Sequence, residues 1–139
     1  MLLKQLSVFI ENREGRLKEV AEALAKNDIN ILTFSLADTS EYGLLRMIVD
    51  KPEEGKQVLN QSDFTAMLTE VVAVKLPSKV GALNRILKTL SGVNIEYIYV
   101  LATGNTPSII IKSDDAQVTI NQLEKDGFEL LGEDAYIGK

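Results

Sequence analysis

Hydrophobic and polar positions follow a period of two, then a period near 3.6, and this order occurs twice along the chain. In the first copy Leu6, Val8 and Ile10 fall on one face of a strand, since successive strand side chains point to opposite sides. Asp50 as a cap, Pro52 in the first turn and Glu53 three residues after the cap predict the start of a second helix. The pattern predicts strand 5–10, helix 17–26, strands 31–37 and 44–49 as a hairpin, helix 52–60 and strand 64–68.

The second copy repeats this order after two residues, Thr69 and Glu70, which we interpret as the linker between two strands. Asp114 and Asp115 predict a helix cap, and Gly127 is placed to end that helix. The predicted elements are strand 72–76, helix 83–90, strands 94–102 and 108–112, helix 116–126 and strand 128–131.

Short matching segments support the repeat. Gly15-Arg16-Leu17 corresponds to Gly81-Ala82-Leu83, 66 residues later, and Ile29-Asn30-Ile31 corresponds to Val93-Asn94-Ile95, 64 residues later. We therefore predict two domains, 1–69 and 70–139, each a βαββαβ unit of the α+β class. Right-handed crossovers place both helices of such a unit on one face of its antiparallel sheet.

The other face of each sheet is then left bare. In the second copy, strand 94–102 carries apolar or aromatic side chains on both faces. Strict alternation places Ile98, Val100 and Ala102 on one face and, on the other, Ile95, Tyr97, Tyr99 and Leu101. An uncovered face of this kind predicts further association, and we expect a homodimer.

The amino-acid composition then excludes several kinds of catalytic and metal site. The 139 residues are 45% hydrophobic and 25% charged, with a net charge of −5 and neither Cys nor His. Disulfides, thiol nucleophiles, His-based triads and Cys-ligated metals are thereby excluded, and we expect no catalytic residue, metal or cofactor. The negative charge argues against nucleic acid. The absence of a long apolar run or a signal peptide predicts a cytoplasmic protein with no membrane partner.

The repeated motifs resemble those of the ACT domain, a small ligand-binding regulatory module. They are Asn12-x-x-Gly15-x-Leu17 followed by a helix and Asp28-Ile29-Asn30-Ile31, and then Gly81-x-Leu83 followed by a helix and Gly92-Val93-Asn94-Ile95. The resemblance extends over essentially the whole chain and is to proteins composed almost wholly of two tandem ACT domains. It implies a ferredoxin-like sandwich that binds an amino acid or similar small ligand between modules, and that regulates an enzyme partner.

The resemblance also implies which positions contact the ligand: the loop after the first strand, the start of the first helix and the second strand. In the first copy these are Asn12, Arg13, Glu14, Gly15, Arg16, Leu17, Asn30 and Ile31. In the second copy they are Ser78, Lys79, Val80, Gly81, Ala82, Leu83, Asn94 and Ile95.

Elementary chemistry gives such a site a rationale. A helix N-terminus offers backbone N–H groups to the carboxylate of an amino acid, and a carboxamide such as that of Asn30 or Asn94 can accept from its ammonium. The ACT family usually has Pro before the Gly, whereas Glu14 and Val80 stand there in this chain. Glu14 places negative charge where a carboxylate would dock, while Asn12 favours the first loop.

Other interpretations remain open. The two glycines also suit ordinary turns, the two asparagines local backbone hydrogen bonds, and Arg13, Arg16 and Lys79 solvated surface positions. The whole chain is alternatively a regulatory or structural subunit that binds a protein without a small ligand. Two lesser alternatives are hydrolysis of an acyl phosphate by Arg13 and Asn30, and RNA stacking on Tyr97 and Tyr99, which core or interface packing explains better.

Overall fold

The structure is a computed structural model that describes residues 2–11, 13–38, 41–102 and 105–132. The chain divides into two compact units. One comprises Lys4–Thr69, and the other comprises Glu70–Lys139 together with Met1–Leu3. Each unit contains the predicted βαββαβ order, so the α+β, ferredoxin-like fold class is confirmed.

In the first unit, an antiparallel sheet packs against two helices. The elements are β1 (Leu2–Glu11), α1 (Arg16–Lys26), β2 (Ile31–Asp38), β3 (Tyr42–Val49), α2 (Pro52–Gln61) and the first residues of β4 (Thr65–Lys75). The strand order is β2-β3-β1-β4. Leu6 and Val8 of β1 pack against Val20 and Leu24 of α1 and against Leu59 of α2, which confirms that both helices cover one face.

The second unit repeats this architecture. It contains the remainder of β4, α3 (Ala82–Thr89), β5 (Ile95–Leu101), β6 (Ser108–Ser113), α4 (Ala116–Lys125) and β7 (Leu130–Leu131). The strand order is β5-β6-β4-β7, equivalent to that of the first unit. Its core joins Val72 and Ile111 of the sheet to Ile86 of α3 and Leu123 of α4.

The predicted break between two strands at Thr69 and Glu70 is wrong. Strand β4 runs without interruption from Thr65 to Lys75. Neither residue is a Gly or Pro, and the apolar positions Ala66, Val72 and Val74 keep the same parity on both sides of the expected break. Nothing in the sequence therefore forces the backbone out of the extended conformation.

The predicted cap of α2 is also wrong, whereas that of α4 is confirmed. Lys51 occupies the N-cap position of α2 and makes no capping hydrogen bond. Asp50 Oδ1 accepts instead from the backbone N–H of Asn30 at 2.9 Å, so its side chain ties α2 to the start of β2. In α4, Asp115 Oδ1 accepts from the N–H of Val118 at 3.1 Å.

The strict alternation predicted for β5 fails at its start. The pairing register shifts between Ile95 and Tyr97, which correspond to Ser113 and Lys112 of β6. Such a bulge inserts one residue and returns the next side chain to the same face. Ile95 therefore packs with Ile98 against the core of the second unit rather than sharing a face with Tyr97. An equivalent shift occurs in β2 between Ile31 and Thr33, so the repeat includes its irregularities.

Candidate functional site

Both predicted ligand loops end in a glycine at the N-cap of a helix. Gly15 precedes α1 with φ 86°, and Gly81 precedes α3 with φ 85°. This left-handed conformation accounts for glycine at both positions, because an L side chain rarely adopts it. No heavy atom lies within 4 Å of where a Cβ would stand, so the space above each turn is open.

A glycine cap leaves the first amides of a helix without a side-chain acceptor. The first N–H groups of any helix have no partner within it, and Ser, Asp or Asn at the N-cap usually satisfies one of them. Asp115 does so for α4, but Gly15 and Gly81 have no side chain that could do the same for α1 and α3. Both helix starts therefore present donors and the positive end of a dipole toward an anion.

Each arginine of the first loop has a carboxylate neighbour, although the buried Nε of Arg16 has no hydrogen-bond partner among the described residues. Arg13 Nε lies 3.2 Å from Glu11 Oε2. The Arg16 guanidinium lies 2.6 Å from Glu19 Oε2 and 4.1 Å from the centre of the Phe64 ring, and its side chain is only 12% exposed. Arg16 therefore turns toward the body of its unit, and exposed Glu14 adds a further negative charge. Asn12, the first predicted contact residue, lies outside the described residues.

The second loop lines a groove of about 570 Å³ with a different character. Lys79 is exposed and forms no ion pair with any residue in the described part of the chain. Val80 is fully exposed, Leu83 is 40% exposed and Ala82 is buried. Ser78 and Gly81 complete the predicted set, so all six loop residues predicted for this copy line one groove.

Sequence reasoning missed four residues of the same groove. They are Leu76, Pro77, Asn84 and Pro107. Leu76 directly follows β4, the strand before the loop, and its N–H donates to the carbonyl oxygen of Pro107 at 2.9 Å. Pro107 precedes β6, the strand that pairs with β4, and this neighbour of the loop cannot be predicted from local spacing. The apolar Leu76-Pro77 pair directly before Ser78 is a local signal that could have extended the predicted site.

The structure does not bring the asparagines to the loop of their own unit. Strands β1 and β2 both pair antiparallel with β3, so they run parallel to each other. Glu11 pairs with Tyr42 and Asp38 with Gly43, whereas Ile31 pairs with Val49 at the other end. At about 3.3 Å per strand residue, Asn30 lies roughly 20 Å along the sheet from the loop, beyond the reach of one amino acid.

The same separation holds for the second copy, where Ile95 pairs with Ser113 and Leu101 with Ser108. The main chains of both asparagines are engaged locally. The carbonyl oxygen of Asn30 accepts from the N–H of Asp50, and that of Asn94 from the N–H of Asp114, each at 3.1 Å. Both asparagines are exposed residues, whereas Ile31 and Ile95 pack against the cores of their units.

The described residues give little support to a catalytic site. They contain no group of three or more carboxylates suited to a metal ion. The pKa of the Glu53 carboxyl is lowered by the hydrogen bond from the Lys4 ammonium, but Glu53 belongs to neither loop. Arg13 and Asn30, the pair considered for acyl phosphate hydrolysis, stand at opposite ends of their unit. The rings of Tyr97 and Tyr99 stack on each other, with centroids 6.4 Å apart.

Comparison with known proteins identifies the family. The model of the ACT domain pair matches residues 1–135. The chain belongs to the ACT domain pair family. No helix of the described residues has the length and apolar character needed to cross a membrane. No curated protein sequence matches this ACT domain pair significantly.

Three solved structures are similar to this ACT domain pair. Protein BT0572 from Bacteroides thetaiotaomicron is 38% identical, with a TM-score of 0.89 over 94% of this chain and 92% of that one. The ligand-free regulatory subunit of aspartate kinase from Thermus thermophilus is 21% identical, with a TM-score of 0.63 over 89% and 92%. A putative C-terminal regulatory domain of aspartate kinase from Porphyromonas gingivalis W83 is 16% identical, with a TM-score of 0.52 over 90% and 93%. The last two show the fold alone.

Proposed function

We propose that this chain is a regulatory protein that binds a free amino acid through its two ACT domains, residues 1–69 and 70–139, without catalysing a reaction. The observation that carries the proposal is the pair of helix starts at Gly15 and Gly81, each with open space above it and no side-chain cap. Such a start suits a carboxylate, and binding needs no proton transfer, so the lack of His does not weaken it.

A complete site needs more than one module, because each loop lies about 20 Å from the asparagine of its own unit. In the strand order of the described residues, β2 and β5 are the terminal strands, paired with β3 and β6 respectively. If two copies pair β2 with β2 antiparallel, the start of one strand lies beside the end of the other. Asn30 of one copy then approaches the first loop of the other, and the equivalent pairing of β5 with β5 brings Asn94 toward the second loop. Either arrangement supports a homodimer with ligand sites between modules.

Binding at such an interface gives a physical route to regulation. A ligand that contacts two modules favours the arrangement in which both contacts are made, and it shifts the population only by its difference in affinity. We propose that this shift is passed to an enzyme partner. The alternative, a subunit that binds a protein without a small ligand, is supported by the missing Pro before Gly15 and Gly81.

Thermal unfolding of the purified chain against the twenty amino acids, one at a time at millimolar concentration, tests the proposal. A ligand at about 100 times its Kd stabilises by roughly 2.7 kcal/mol, which for a chain of this size is about 5–10 °C in Tm. One amino acid or a few related ones should give such a shift. No shift with any of the twenty would favour the protein-binding alternative.

A further inference from the structure

We infer that the groove of the second loop binds a small carboxylic acid with an apolar side chain, of the size of an aliphatic amino acid, and that the first loop does not bind it. This inference rests on the proposed function and makes it specific. It assigns the ligand class and the working loop from the charges and the surface of the described residues.

Charge decides where the carboxylate binds. Among the described residues that line the groove, Lys79 is the only charged one, and no described residue forms an ion pair with it. An anion that binds there meets the Lys79 ammonium and the uncapped amides at the start of α3, and none of the described lining residues carries a carboxylate. In the first loop an anion would compete with Glu11 and Glu19 for the two arginines and would meet Glu14.

The remaining groove surface decides the rest of the ligand. Six apolar residues line it: Leu76, Pro77, Val80, Ala82, Leu83 and Pro107. Val80 is fully exposed and Leu83 is 40% exposed, so apolar surface is available for burial. Each buried CH₂ contributes about 0.8 kcal/mol, whereas a charged ligand side chain would find no further opposite charge among the described lining residues. The groove therefore favours an aliphatic side chain over an acidic, basic or hydroxyl-bearing one.

Val80 and Glu14 are equivalent positions, because each directly precedes the cap glycine of its loop. Reciprocal substitutions at these two positions therefore test the effect of charge. Val80→Glu gives the second loop the charge of the first, and Glu14→Val does the reverse. Both side chains are exposed, so neither change should disturb folding, and thermal melts without ligand check this. Lys79→Gln is a second probe that removes the cation without adding an acid.

Calorimetric titration of the full chain with L-valine, L-leucine and L-isoleucine, and with L-aspartate, L-lysine and L-serine for comparison, tests the inference. An aliphatic amino acid should bind most tightly, and leucinamide, which lacks the carboxylate, should bind about tenfold more weakly than leucine. Val80→Glu should raise the Kd about tenfold and Lys79→Gln about threefold to tenfold, while Glu14→Val changes it less than twofold.

The outcomes separate the inference from the proposed function. Tightest binding of aspartate, lysine or serine would overturn the inferred class and leave an amino-acid sensor in place. An unchanged Kd in both Val80→Glu and Lys79→Gln would overturn the assignment to the second loop in the same way. If none of the twenty amino acids binds, the proposed function fails and the inference fails with it.

Discussion

The two ligand loops share a backbone and differ in chemistry. Gly15 and Gly81 have φ values of 86° and 85°, and each caps a helix after a strand. The first loop nevertheless ties its arginines to Glu11 and Glu19, whereas Lys79 in the second has no such partner in the described residues. Repeated backbone geometry therefore locates two candidate sites, while the charges around each loop decide which one can accept an anion.

The cores of the two units also have equivalent backbone positions with different side chains, at one contact between helix and sheet. Gly55 of α2 corresponds to Thr119 of α4, and Val49 corresponds to Ser113, in each case 64 residues later. In the first unit the contact is apolar, and a Cβ on Gly55 would lie 2.9 Å from Leu6 Cδ2. In the second unit the hydroxyls of Ser113 and Thr119 lie 2.7 Å apart, so one architecture tolerates two packing solutions.

Placing the threonine of the second unit at the equivalent position of the first unit should have the largest effect on stability. We expect Gly55→Thr to lower the free energy of unfolding by about 2 kcal/mol, because the new side chain must displace buried Leu6 and its hydroxyl finds Val49 in place of a serine. Urea denaturation followed by circular dichroism measures this. Gly55→Ala should lose less, since Ala favours a helix by about 1 kcal/mol over Gly. Equal stability of Gly55→Thr and the parent chain would contradict the close approach.

Removing the polar contact from the second unit should have a smaller effect. Thr119 is fully buried and its hydroxyl also reaches the carbonyl oxygen of Asp115 at 3.0 Å. Thr119→Val keeps the shape but leaves the buried Ser113 hydroxyl without this partner, so we expect a loss of about 1–2 kcal/mol. Thr119→Ser keeps the hydroxyl and serves as the control. The same denaturation experiment should rank parent, Ser and Val in that order, and any other ranking counts against the hydrogen bond.

The next difference concerns the arginine that stacks on a phenylalanine in each unit. The Arg16 guanidinium lies 4.1 Å from the centre of the Phe64 ring, and that of Arg85 lies 5.2 Å from the centre of the Phe128 ring. Arg16→Met should lower stability by about 1 kcal/mol, and Arg85→Met, at an exposed residue, by clearly less. Thermal melts of both variants test this. If Arg16→Met lost ligand binding without losing stability, the first loop would contain the working site after all.

Periodicity predicted most of the fold because local apolar spacing determines where elements begin and end. Helix α1 and strand β6 fall within a residue of the predicted bounds. The bulge after Ile95 was missed because it depends on how β5 pairs with β6, whereas a break in β4 was predicted although no Gly or Pro interrupts the strand at Thr69 and Glu70. The loop residues were predicted to line a site, and those of the second loop do line one groove. The ion pairs that distinguish the loops, and the distance from loop to asparagine, follow only from the three-dimensional arrangement.

The smallest expected effect comes from the residues that end the helices. Asp63 follows α2 with φ 68°, and its counterpart after α4 is Gly127 with φ 81°. The left-handed region strains Asp more than Gly, and a negative charge near a helix C-terminus is unfavourable. We therefore expect Asp63→Gly to raise stability by about 0.5 kcal/mol, after part of the gain is lost to the greater freedom of glycine in the unfolded chain.

The reciprocal substitution after α4 tests whether the two helix ends are equivalent. Gly127→Asp should lower stability by a similar amount, because it gives α4 the ending that α2 now has. A Cβ at Gly127 meets no atom within 4 Å, so the loss would report backbone conformation and charge rather than a clash. The double variant Asp63→Gly/Gly127→Asp should then melt close to the parent chain, since the two positions belong to different units and their effects should add. A Tm of the double variant well below that of the parent would show that the two helix ends are not equivalent. The two positions would then share a positive φ without sharing its energetic cost.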